Sequence, residues 1–455
     1  MIKKCKMKAM RSPQKIELME KIISLCKRRG FIFPSSEIYG GFGSGYDYGP
    51  LGVELKQNIK KAWWKEMIYK HENIVGLDSS ILMNPQVWRA SGHLKAGFSD
   101  LLVECKKCHK RFKGDEVKNV CPECGGKLTQ PRKFNLMMKT FVGPVEKESS
   151  LVYLRAETAQ GIYVNFKNVL NSMRLKVPFG IAQIGKAFRN EINPKNFIYR
   201  TREFEQMEME WFCHPKDASK FFDYWKKERI KWYQKLGIKK EHLRIKEIPK
   251  DDLPHYAKEG ADIEYKFPFG WGELEAIHNR GDWDLSNHSR FSGQDLSYLD
   301  PETKERYFPY IVETSAGVDR SLLAFLSEAY QEIKGARTKT TKPTKEVEIV
   351  LSLNKDLAPI KIAVLPLVRN KKELVKKAKE IYQTLKIFFR CQYDEVGSIG
   401  RRYRRQDEIG TLFAVTVDFE TLQKEDVTVR DRDTMEQERV KIKDLVEFFK
   451  KKLED

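Results

Sequence analysis

The stretch 180–212, GIAQIGKAFRNEINPKNFIYRTREFEQMEMEWF, constrains the fold more than any other part of this chain. Two runs rich in aromatic and apolar residues flank the proline-containing segment 193–196, so the stretch predicts an antiparallel hairpin with strands ending at Phe188 and beginning at Phe197. Because side chains alternate along a strand, one face of the second strand carries arginines at one end and carboxylates at the other. This face consists of Arg200, Arg202, Phe204, Gln206, Glu208 and Glu210.

Such a face has two interpretations. It is either a solvated surface with cross-strand ion pairs, or the wall of a site for a ligand that carries both anionic and cationic groups. The charges stand among Phe, Met and Trp rather than in a lysine-rich surface, which favours the ligand site. A phosphate would then meet the arginines, and an ammonium group would meet the carboxylates.

Charge and cysteine content limit the partners and the compartment. The net charge of +20 favours a polyanion, nucleic acid before an acidic membrane, although a lysine-biased genome would give the same balance. No apolar run reaches the ~18–20 residues of a membrane span, so we expect no membrane partner. Eight cysteines without a secretory signal predict thiols or metal ligands and a cytoplasmic location. The basic head, residues 1–11, predicts a short disordered tail.

The strongest local motif is a pair of cysteine knuckles. Cys105 and Cys108 are followed, after twelve residues, by Cys121 and Cys124. Four thiolates at this spacing are typical of tetrahedral zinc, with redox pairs or unliganded thiols as the alternatives. Because four cysteines close the coordination sphere, the zinc is predicted to be structural, in an insertion spanning 104–130.

Two further segments lie on either side of the hairpin. Leu55, Ile59, Trp63 and Met67 recur at helical spacing, and an apolar strand ending at Pro85 follows them. After the hairpin, residues 214–268 predict a helical insertion whose core stripe is Phe221, Phe222, Trp225 and Trp232.

A strand from Phe308 to Glu313 is predicted to turn through residues 315–317 into a helix with Arg320 in its first turn. An arginine at a helix start opposes the helix dipole. The position therefore favours a phosphate or carboxylate partner for Arg320.

The last part of the chain predicts a separate domain. The polar segment 334–346 is interpreted as a linker, and the strands and helices that alternate after it predict a small α/β domain. Within it, Arg401, Arg402, Arg404 and Arg405 surround Tyr403. This set suits RNA phosphates and a stacked base, with a solvated basic loop as the alternative.

Several of these strings resemble the class II aminoacyl-tRNA synthetases. Arg189-Asn190-Glu191, with the string from Thr201 to Glu208, resembles motif 2, and most closely that of the glycyl-tRNA synthetases of the homodimeric type. The helix and strand before Pro85 resemble motif 1, which builds the dimer interface of that family. The string 317–320 resembles motif 3, and the C-terminal domain resembles an anticodon-binding domain. The resemblance runs from about residue 12 to the end of the chain.

The resemblance implies an α+β fold, in which an antiparallel sheet flanked by helices forms a class II catalytic domain over 1–345. The zinc-binding insertion 104–130 and the helical insertion 214–268 interrupt it. A linker and a mixed-sheet anticodon-binding domain occupy 346–455. The implied reaction is activation of glycine by ATP and its transfer to the 3′ end of tRNA(Gly). A homodimer, Mg²⁺ in catalysis and structural Zn²⁺ are implied as well.

The resemblance also assigns roles to residues. Arg189 holds the α-phosphate and Arg320 the γ-phosphate of a bent ATP, and together with Glu191 they form the implied catalytic set. Phe204 stacks on adenine, and Glu273 holds magnesium and ATP. The remaining implied ATP-binding residues are Asn190, Arg200, Thr201, Arg202, Glu203, Leu274, Gly317 and Asp319. The implied glycine-binding residues are Glu157, Phe204, Glu205, Gln206, Met207, Glu208, Glu313, Ser315 and Gly317. The implied tRNA-binding residues are Arg401, Arg402, Tyr403, Arg404 and Arg405.

Two other functions compete with this one. A non-catalytic paralogue that keeps the fold as an RNA- or polymerase-associated module would be expected to lose Arg189, Glu191 or Arg320, and this chain has all three. A stand-alone adenylating enzyme with another acceptor would not need the basic C-terminal domain.

Overall fold

A computed structural model describes residues 13–94, 98–335 and 347–454 of the chain. The predicted tail at 1–11 and most of the predicted linker lie outside these residues. The described helices are α1 Pro13–Arg29, α2 Pro50–Trp64, α3 Pro85–Ala90, α4 Ala159–Val164, α5 Phe166–Ser172, α6 Ala218–Lys235, α7 Trp283–Ser292, α8 Val318–Ala329, α9 Lys372–Leu385, α10 Ile399–Ile409, α11 Phe419–Lys424 and α12 Leu445–Glu454.

The described strands are β1 Ile32–Pro34, β2 Tyr46–Tyr48, β3 Ile74–Gly76, β4 Ser99–Glu104, β5 Arg111–Lys113, β6 Arg132–Asn135, β7 Met138–Phe141, β8 Leu151–Leu154, β9 Phe179–Phe188, β10 Glu203–Cys213, β11 Leu243–Glu247, β12 Glu259–Phe267, β13 Gly270–Gly281, β14 Tyr298–Leu299, β15 Arg306–Tyr307, β16 Tyr310–Gly317, β17 Tyr330–Lys334, β18 Val347–Leu351, β19 Ile362–Pro366, β20 Cys391–Tyr393, β21 Phe413–Val417, β22 Asp426–Asp431 and β23 Gln437–Lys441.

A seven-stranded sheet forms the centre of the molecule, in the order β11-β12-β13-β16-β10-β9-β3. Its pairs are antiparallel except β3 with β9. One face packs against α2, α6 and α8, and the other against α4, α5 and α7. The predicted α+β fold, an antiparallel sheet flanked by helices, is confirmed.

The hairpin at the centre of the sequence is present, but its second strand is shorter than predicted. β9 ends at Phe188, which pairs with Glu203, the first residue of β10. A short 3₁₀ turn occupies Phe197–Tyr199, where the strand was expected to begin. Arg200 and Arg202 therefore lie in the loop before β10, and only the residues from Phe204 onward share the strand face.

Two predictions about neighbouring segments were wrong. The 214–268 insertion contains one α-helix, α6, and three short 3₁₀ turns, and its strands β11 and β12 join the central sheet at its edge. Burial at Ala261, Ile263 and Tyr265 follows period two, the signature of a strand. Likewise, β16 does not turn after Glu313 but continues straight to Gly317.

The C-terminal part contains a five-stranded sheet in the order β20-β19-β21-β22-β23. β19 is parallel to β20 and β21, and the pairs beyond β21 are antiparallel, so the predicted mixed sheet is confirmed. The residues on either side of 336–346 pair with each other as β17 and β18. This domain contacts the N-terminal helix through Arg29, whose Nε donates to Glu408 at 2.6 Å. Among the helices described, none has the length and apolar character needed to cross a membrane.

Candidate active site

A cavity of about 370 Å³ opens over one face of the central sheet. Its walls come from β10, β13, β16, the start of α8 and the loop between β9 and β10. The sequence-predicted site residues that line it are Glu157, Arg189, Glu191, Arg200, Thr201, Phe204, Gln206, Glu208, Glu273, Glu313, Ser315, Gly317, Asp319 and Arg320.

The alternation of two paired strands gathers this set. Gln206 pairs with Gly317, and Glu208 pairs with Ser315. Because side chains two residues apart share a face, β10 and β16 together present a row of polar groups to the cavity. The odd-numbered neighbours Met207 and Met209 are buried in the apolar core on the opposite face.

Arginines mark one half of the cavity, which we call the nucleotide half. Arg189 follows β9, and its Nε donates to the backbone oxygen of Ala156 at 3.0 Å. Its guanidinium lies 5.4 Å from the ring centroid of Phe204. Arg200 also lines this half. A planar anion or an aromatic base would find a cation and an aromatic face here.

Arg320 completes the nucleotide half from the first turn of α8. Its guanidinium lies 2.7 Å from a carboxylate oxygen of Glu273 and donates to the backbone oxygen of Tyr199 at 3.2 Å. The guanidinium also stacks on the Tyr199 ring, 4.5 Å from its centroid. The Arg320 charge holds the pKa of Glu273 below its ordinary value.

Carboxylates mark the other half, which we call the amino-acid half. Glu208 is 1% exposed and accepts hydrogen bonds from Ser315 at 2.6 Å and Gln206 at 2.8 Å. Thr158 donates to its other oxygen. Burial, followed by repulsion from Glu313 and Glu157, raises the pKa of Glu208 to about 7. A cation bound beside it would relieve this repulsion.

Glu313 and Glu157 are the other carboxylates of this half. Glu313 faces Arg280 at 3.1 Å and His278 at 3.2 Å. Glu157 accepts from Gln160 at 2.9 Å and lies 3.4 Å from a ring nitrogen of His93. Burial alone would raise the pKa of Glu313, but the Arg280 charge and the His278 side chain together outweigh it, so the pKa is lowered.

Three residues of the amino-acid half were missed by sequence reasoning. Arg280 is 2% exposed, donates two hydrogen bonds to Asp284 and stacks on Tyr256, 3.9 Å from its centroid. His93 and Tyr256 approach from segments distant in sequence. No local pattern marks these residues, because Arg280 reaches Glu313 only through the pairing of β13 with β16.

Six predicted residues do not line the cavity, and those roles are corrected. Because side chains alternate between the two faces of a strand, Glu205 and Met207 point to the face of β10 opposite the cavity. Leu274 on β13 points into the apolar core for the same reason. Glu203 is exposed and pairs with Lys186 at 2.6 Å. Asn190 and Arg202 are the other two. The Nε of Arg202 donates to the backbone oxygen of Glu191 at 3.2 Å.

Asp319 borders the cavity, but its carboxylate is already occupied. Lys56 lies 3.0 Å from one oxygen, to which Tyr48 also donates. The other oxygen accepts the backbone N–H of Glu205 at 2.8 Å. This residue therefore acts behind the cavity wall.

The four knuckle cysteines converge, and their geometry fits zinc. Their sulfur atoms lie within 4.8 Å of one another, with 3.5 Å between Cys105 and Cys124 and 3.7 Å between Cys108 and Cys121. Thiolates about 2.3 Å from a tetrahedral ion would be about 3.8 Å apart. A Cβ at Gly126 would lie 2.9 Å from the Cys105 sulfur, so the glycine keeps the cluster open.

The arginine run of the C-terminal domain is helical, and part of its predicted role is corrected. Arg402 is 1% exposed, and its guanidinium donates to the backbone oxygens of Pro366 and, at 3.0 Å, Leu367. It is therefore unavailable to RNA. The Tyr403 ring already packs against Arg430, 4.8 Å from its centroid, and Arg405 pairs with Asp394 at 2.5 Å.

Comparisons with known proteins agree with this geometry. A family model described as the tRNA synthetase class II core domain (G, H, P, S and T) matches residues 144–329, and one described as an anticodon binding domain matches 361–452. The chain is 53% identical over 444 residues to a glycine–tRNA ligase of Treponema denticola, covering 96% of this chain and 97% of the relative.

Two further relatives carry the same name. The glycine–tRNA ligase of Borreliella burgdorferi is 55% identical over 439 residues, covering 95% of this chain and 97% of that protein. That of Thermobifida fusca is 51% identical over 461 residues, covering 96% of this chain and 99% of that protein. With these identities over nearly its whole length, the chain belongs to the glycine–tRNA ligase family, which is built on the class II synthetase core.

Proposed function

We propose that this chain is a glycine–tRNA ligase, which activates glycine with ATP and transfers it to the 3′ end of tRNA(Gly). The observation that carries the proposal is the division of one cavity into an arginine half and a carboxylate half. Few pairs of small substrates other than an amino acid and a nucleotide need both an arginine half and a carboxylate half. The non-catalytic alternative is not favoured, because Arg189, Glu191 and Arg320 all line the cavity.

In the proposed first step, a carboxylate oxygen of glycine attacks the α-phosphorus of ATP. A bond forms between that oxygen and phosphorus, the bond to the bridging oxygen breaks, and pyrophosphate leaves with its electron pair. No protein nucleophile or proton transfer is required. The residues therefore accelerate the step by positioning and by neutralising charge.

The nucleotide half supplies the cations for this step. In the proposal Arg189 contacts the α-phosphate, and its contact with Phe204 places the adenine ring beside the same arginine. Arg320 contacts the γ-phosphate, exchanging its bond to Glu273 for one to the substrate. Glu191, Arg200, Thr201 and Gly317 shape the rest of the nucleotide site.

The amino-acid half binds the glycine ammonium group. Arg280 pairs with Glu313 and its charge reaches Glu157, whereas the hydrogen bonds described for Glu208 come from uncharged groups, so the half has room for one more positive charge. Ser315 holds Glu208 in place. Gln206 and the walls from β10 and β16 fill the space that a larger side chain would need.

Two metals fit the residues of the chain. Glu273, a carboxylate at the wall of the nucleotide half with Asp262 near it, offers the oxygen ligands that Mg²⁺ prefers. Bound there, Mg²⁺ would neutralise charge on the leaving pyrophosphate. Cys105, Cys108, Cys121 and Cys124 would hold a structural Zn²⁺.

In the proposed second step, a hydroxyl of the terminal tRNA ribose attacks the glycyl carbonyl carbon. The ester bond forms, the bond between the carbonyl carbon and the phosphate oxygen breaks, and AMP leaves with that electron pair while the hydroxyl proton passes to a phosphate oxygen of AMP. The C-terminal domain binds tRNA(Gly), with Arg401 as its exposed predicted contact. We also propose a cytoplasmic homodimer that forms through the motif 1 segment containing α2.

The test is glycine-dependent exchange of labelled pyrophosphate into ATP, followed by charging of tRNA(Gly). We expect exchange with glycine, much less with alanine or serine, and charging that requires residues 356–455. Exchange that alanine supports as well as glycine would overturn the glycine assignment. Exchange without charging of any tRNA would identify an adenylating enzyme with another acceptor.

A further inference from the structure

We infer that Lys56 is a positioning residue of the nucleotide half, because its ammonium group ties the strand that carries Phe204 to the helix that carries Arg320. The inference rests on the proposed function, since its readout is use of ATP. Lys56 belongs to a cluster that we call the Lys56 hub, formed by Tyr48, Lys56, Lys60, Glu205 and Asp319.

The hub lies behind the cavity rather than in it. Lys56 projects from α2, is 7% exposed, and does not line the cavity. Its ammonium nitrogen lies 3.0 Å from Asp319 and 3.1 Å from Glu205. It also lies over the Tyr48 ring, 4.1 Å from the centroid. The Lys56 ammonium group therefore contacts two carboxylates and one aromatic ring.

Each carboxylate stands next to a residue that faces the nucleotide. Glu205 follows Phe204 on β10, and Asp319 precedes Arg320 in the first turn of α8. Asp319 also accepts the backbone N–H of Glu205 at 2.8 Å, which joins strand and helix directly. A displacement of either carboxylate therefore moves Phe204 or Arg320 along the same backbone.

Charge balance makes Lys56 the central member. Burial lowers the pKa of its ammonium group, but Asp319 and Glu205 outweigh that effect and hold the pKa above its ordinary value. Without Lys56, Asp319 would keep only the Tyr48 hydroxyl and one backbone N–H as partners, and Glu205 would keep Lys60, 2.8 Å away. Two carboxylates buried close together would then repel and separate.

The helix that carries Lys56 is itself fixed at its far side. The Asn58 side chain donates to the backbone oxygens of Leu357 and Ala358 at 3.1 and 3.2 Å. Glu54 pairs with Arg390 at 3.2 Å. α2 therefore offers Lys56 a support held by both domains.

The test compares Lys56→Met with Lys227→Met in the full-length protein by pyrophosphate exchange. Met keeps the volume of the stem and removes the charge, and Lys227 is an exposed lysine of α6, outside the hub, the cavity and the proposed dimer interface. For Lys56→Met we expect kcat/KM for ATP to fall about 10- to 100-fold, the scale of a small misplacement of reacting groups. KM for glycine should change by less than about threefold, because the hydrogen bonds that hold Glu208 come from Ser315, Gln206 and Thr158 and not from members of the hub. Lys227→Met should match the wild type.

Tyr48→Phe provides a milder variant, which removes one hydrogen bond to Asp319 and keeps the ring. It should raise KM for ATP about threefold with KM for glycine unchanged. Equal losses for ATP and glycine in a folded Lys56→Met protein, or wild-type kinetics in both variants, would overturn the inference. A wild-type chain without exchange would instead refute the proposed function. If Lys56→Met does not fold, Tyr48→Phe alone decides.

Discussion

The two halves of the cavity are built in different ways. In the amino-acid half, Glu208 and Glu313 occupy the middle of paired strands and are 1% and 4% exposed. In the nucleotide half, Arg189 follows a strand end and Arg320 begins a helix, and the Glu273 side chain that pairs with Arg320 is 43% exposed. The amino-acid half is therefore held by the middle of the sheet, and the nucleotide half by residues at a strand end and at a helix start.

This difference separates the residues that would select the amino acid from the residues that would bind the reacting phosphates. The carboxylates already hold their hydrogen-bond partners without a ligand, so an amino acid bound as proposed would meet a preorganised site. The arginines are held by backbone oxygens and by Glu273, contacts that a triphosphate can replace. In the proposed function the sheet would therefore set the fit of the amino acid, whereas nucleotide binding would require side chains to change partners.

The largest effect should come from the nucleotide half. Arg189→Ala should lower the rate of pyrophosphate exchange by ~10²-fold or more, the size expected for one preorganised group in the transition state. Arg189→Lys should not restore it, because the bidentate fork is lost. Exchange within about threefold of wild type would remove Arg189 from the reaction.

The amino-acid half should make kcat/KM for glycine depend on pH. The pKa of Glu208 is raised from its ordinary 4.5 to about 7, so kcat/KM for glycine should fall about tenfold per pH unit below that value as the carboxylate becomes protonated. Glu208→Gln should be less active and lack this dependence. A profile identical in both proteins would assign the titration to another group, such as the ATP phosphates.

The same titration has a consequence for stability. The folded chain binds the Glu208 proton more tightly than the unfolded chain does. The contribution of Glu208 to the free energy of unfolding should therefore decrease as pH rises from about 4.5 to about 7. Chemical denaturation of wild type and Glu208→Gln across this range measures the difference.

A smaller effect tests whether the sheet half is preorganised. Ser315→Ala removes the hydroxyl that donates to Glu208 at 2.6 Å and should raise KM for glycine about fivefold, as expected for one hydrogen bond of ~1 kcal/mol. KM for ATP should not change. Ser327→Ala, which removes a bond to the backbone of α8, is the matched control. An equal increase for ATP would show that the halves are coupled.

The smallest effect tests whether the insertion that carries the four knuckle cysteines supports the nucleotide half. Lys195, in the loop before β10, pairs with Glu116 of the insertion at 2.6 Å, with both side chains about one-third exposed. Such pairs contribute ~0–1 kcal/mol, so Lys195→Met should change KM for ATP by no more than about twofold. A tenfold change in Lys195→Met, matched by zinc removal with a chelator, would show that the insertion holds this half.

Parts of this architecture follow from local patterns. Period two in the hairpin placed Phe204, Gln206 and Glu208 on one face, and cysteine spacing predicted the metal cluster. Sequence patterns did not predict Arg280, since its place beside Glu313 depends on pairing of β13 with β16. Strands β11 and β12 were missed because the helical pattern of α6 was extended past its end.

The arginine run at 401–405 shows a second limit. Arg402, Gln406 and Ile409 recur at helical spacing and face the interior of the domain. An arginine occupies the buried position of this helix, so the sequence does not show the apolar pattern that would predict it. The Arg402 side chain can face inward because the backbone oxygens of Pro366 and Leu367 accept its hydrogen bonds. Charge density alone therefore predicted a phosphate site where the guanidinium stabilises the fold.

The pairing of β17 with β18 has a practical consequence for protein engineering. These strands clasp the two ends of segment 336–346 in register, from Tyr330 with Leu351 to Lys334 with Val347. Extra residues placed between Lys334 and Val347 would lengthen only the connection between these two strands, and each doubling of a connection costs about 0.6 kcal/mol. An affinity tag or a fluorescent reporter could therefore be inserted there while both domains keep their mutual docking.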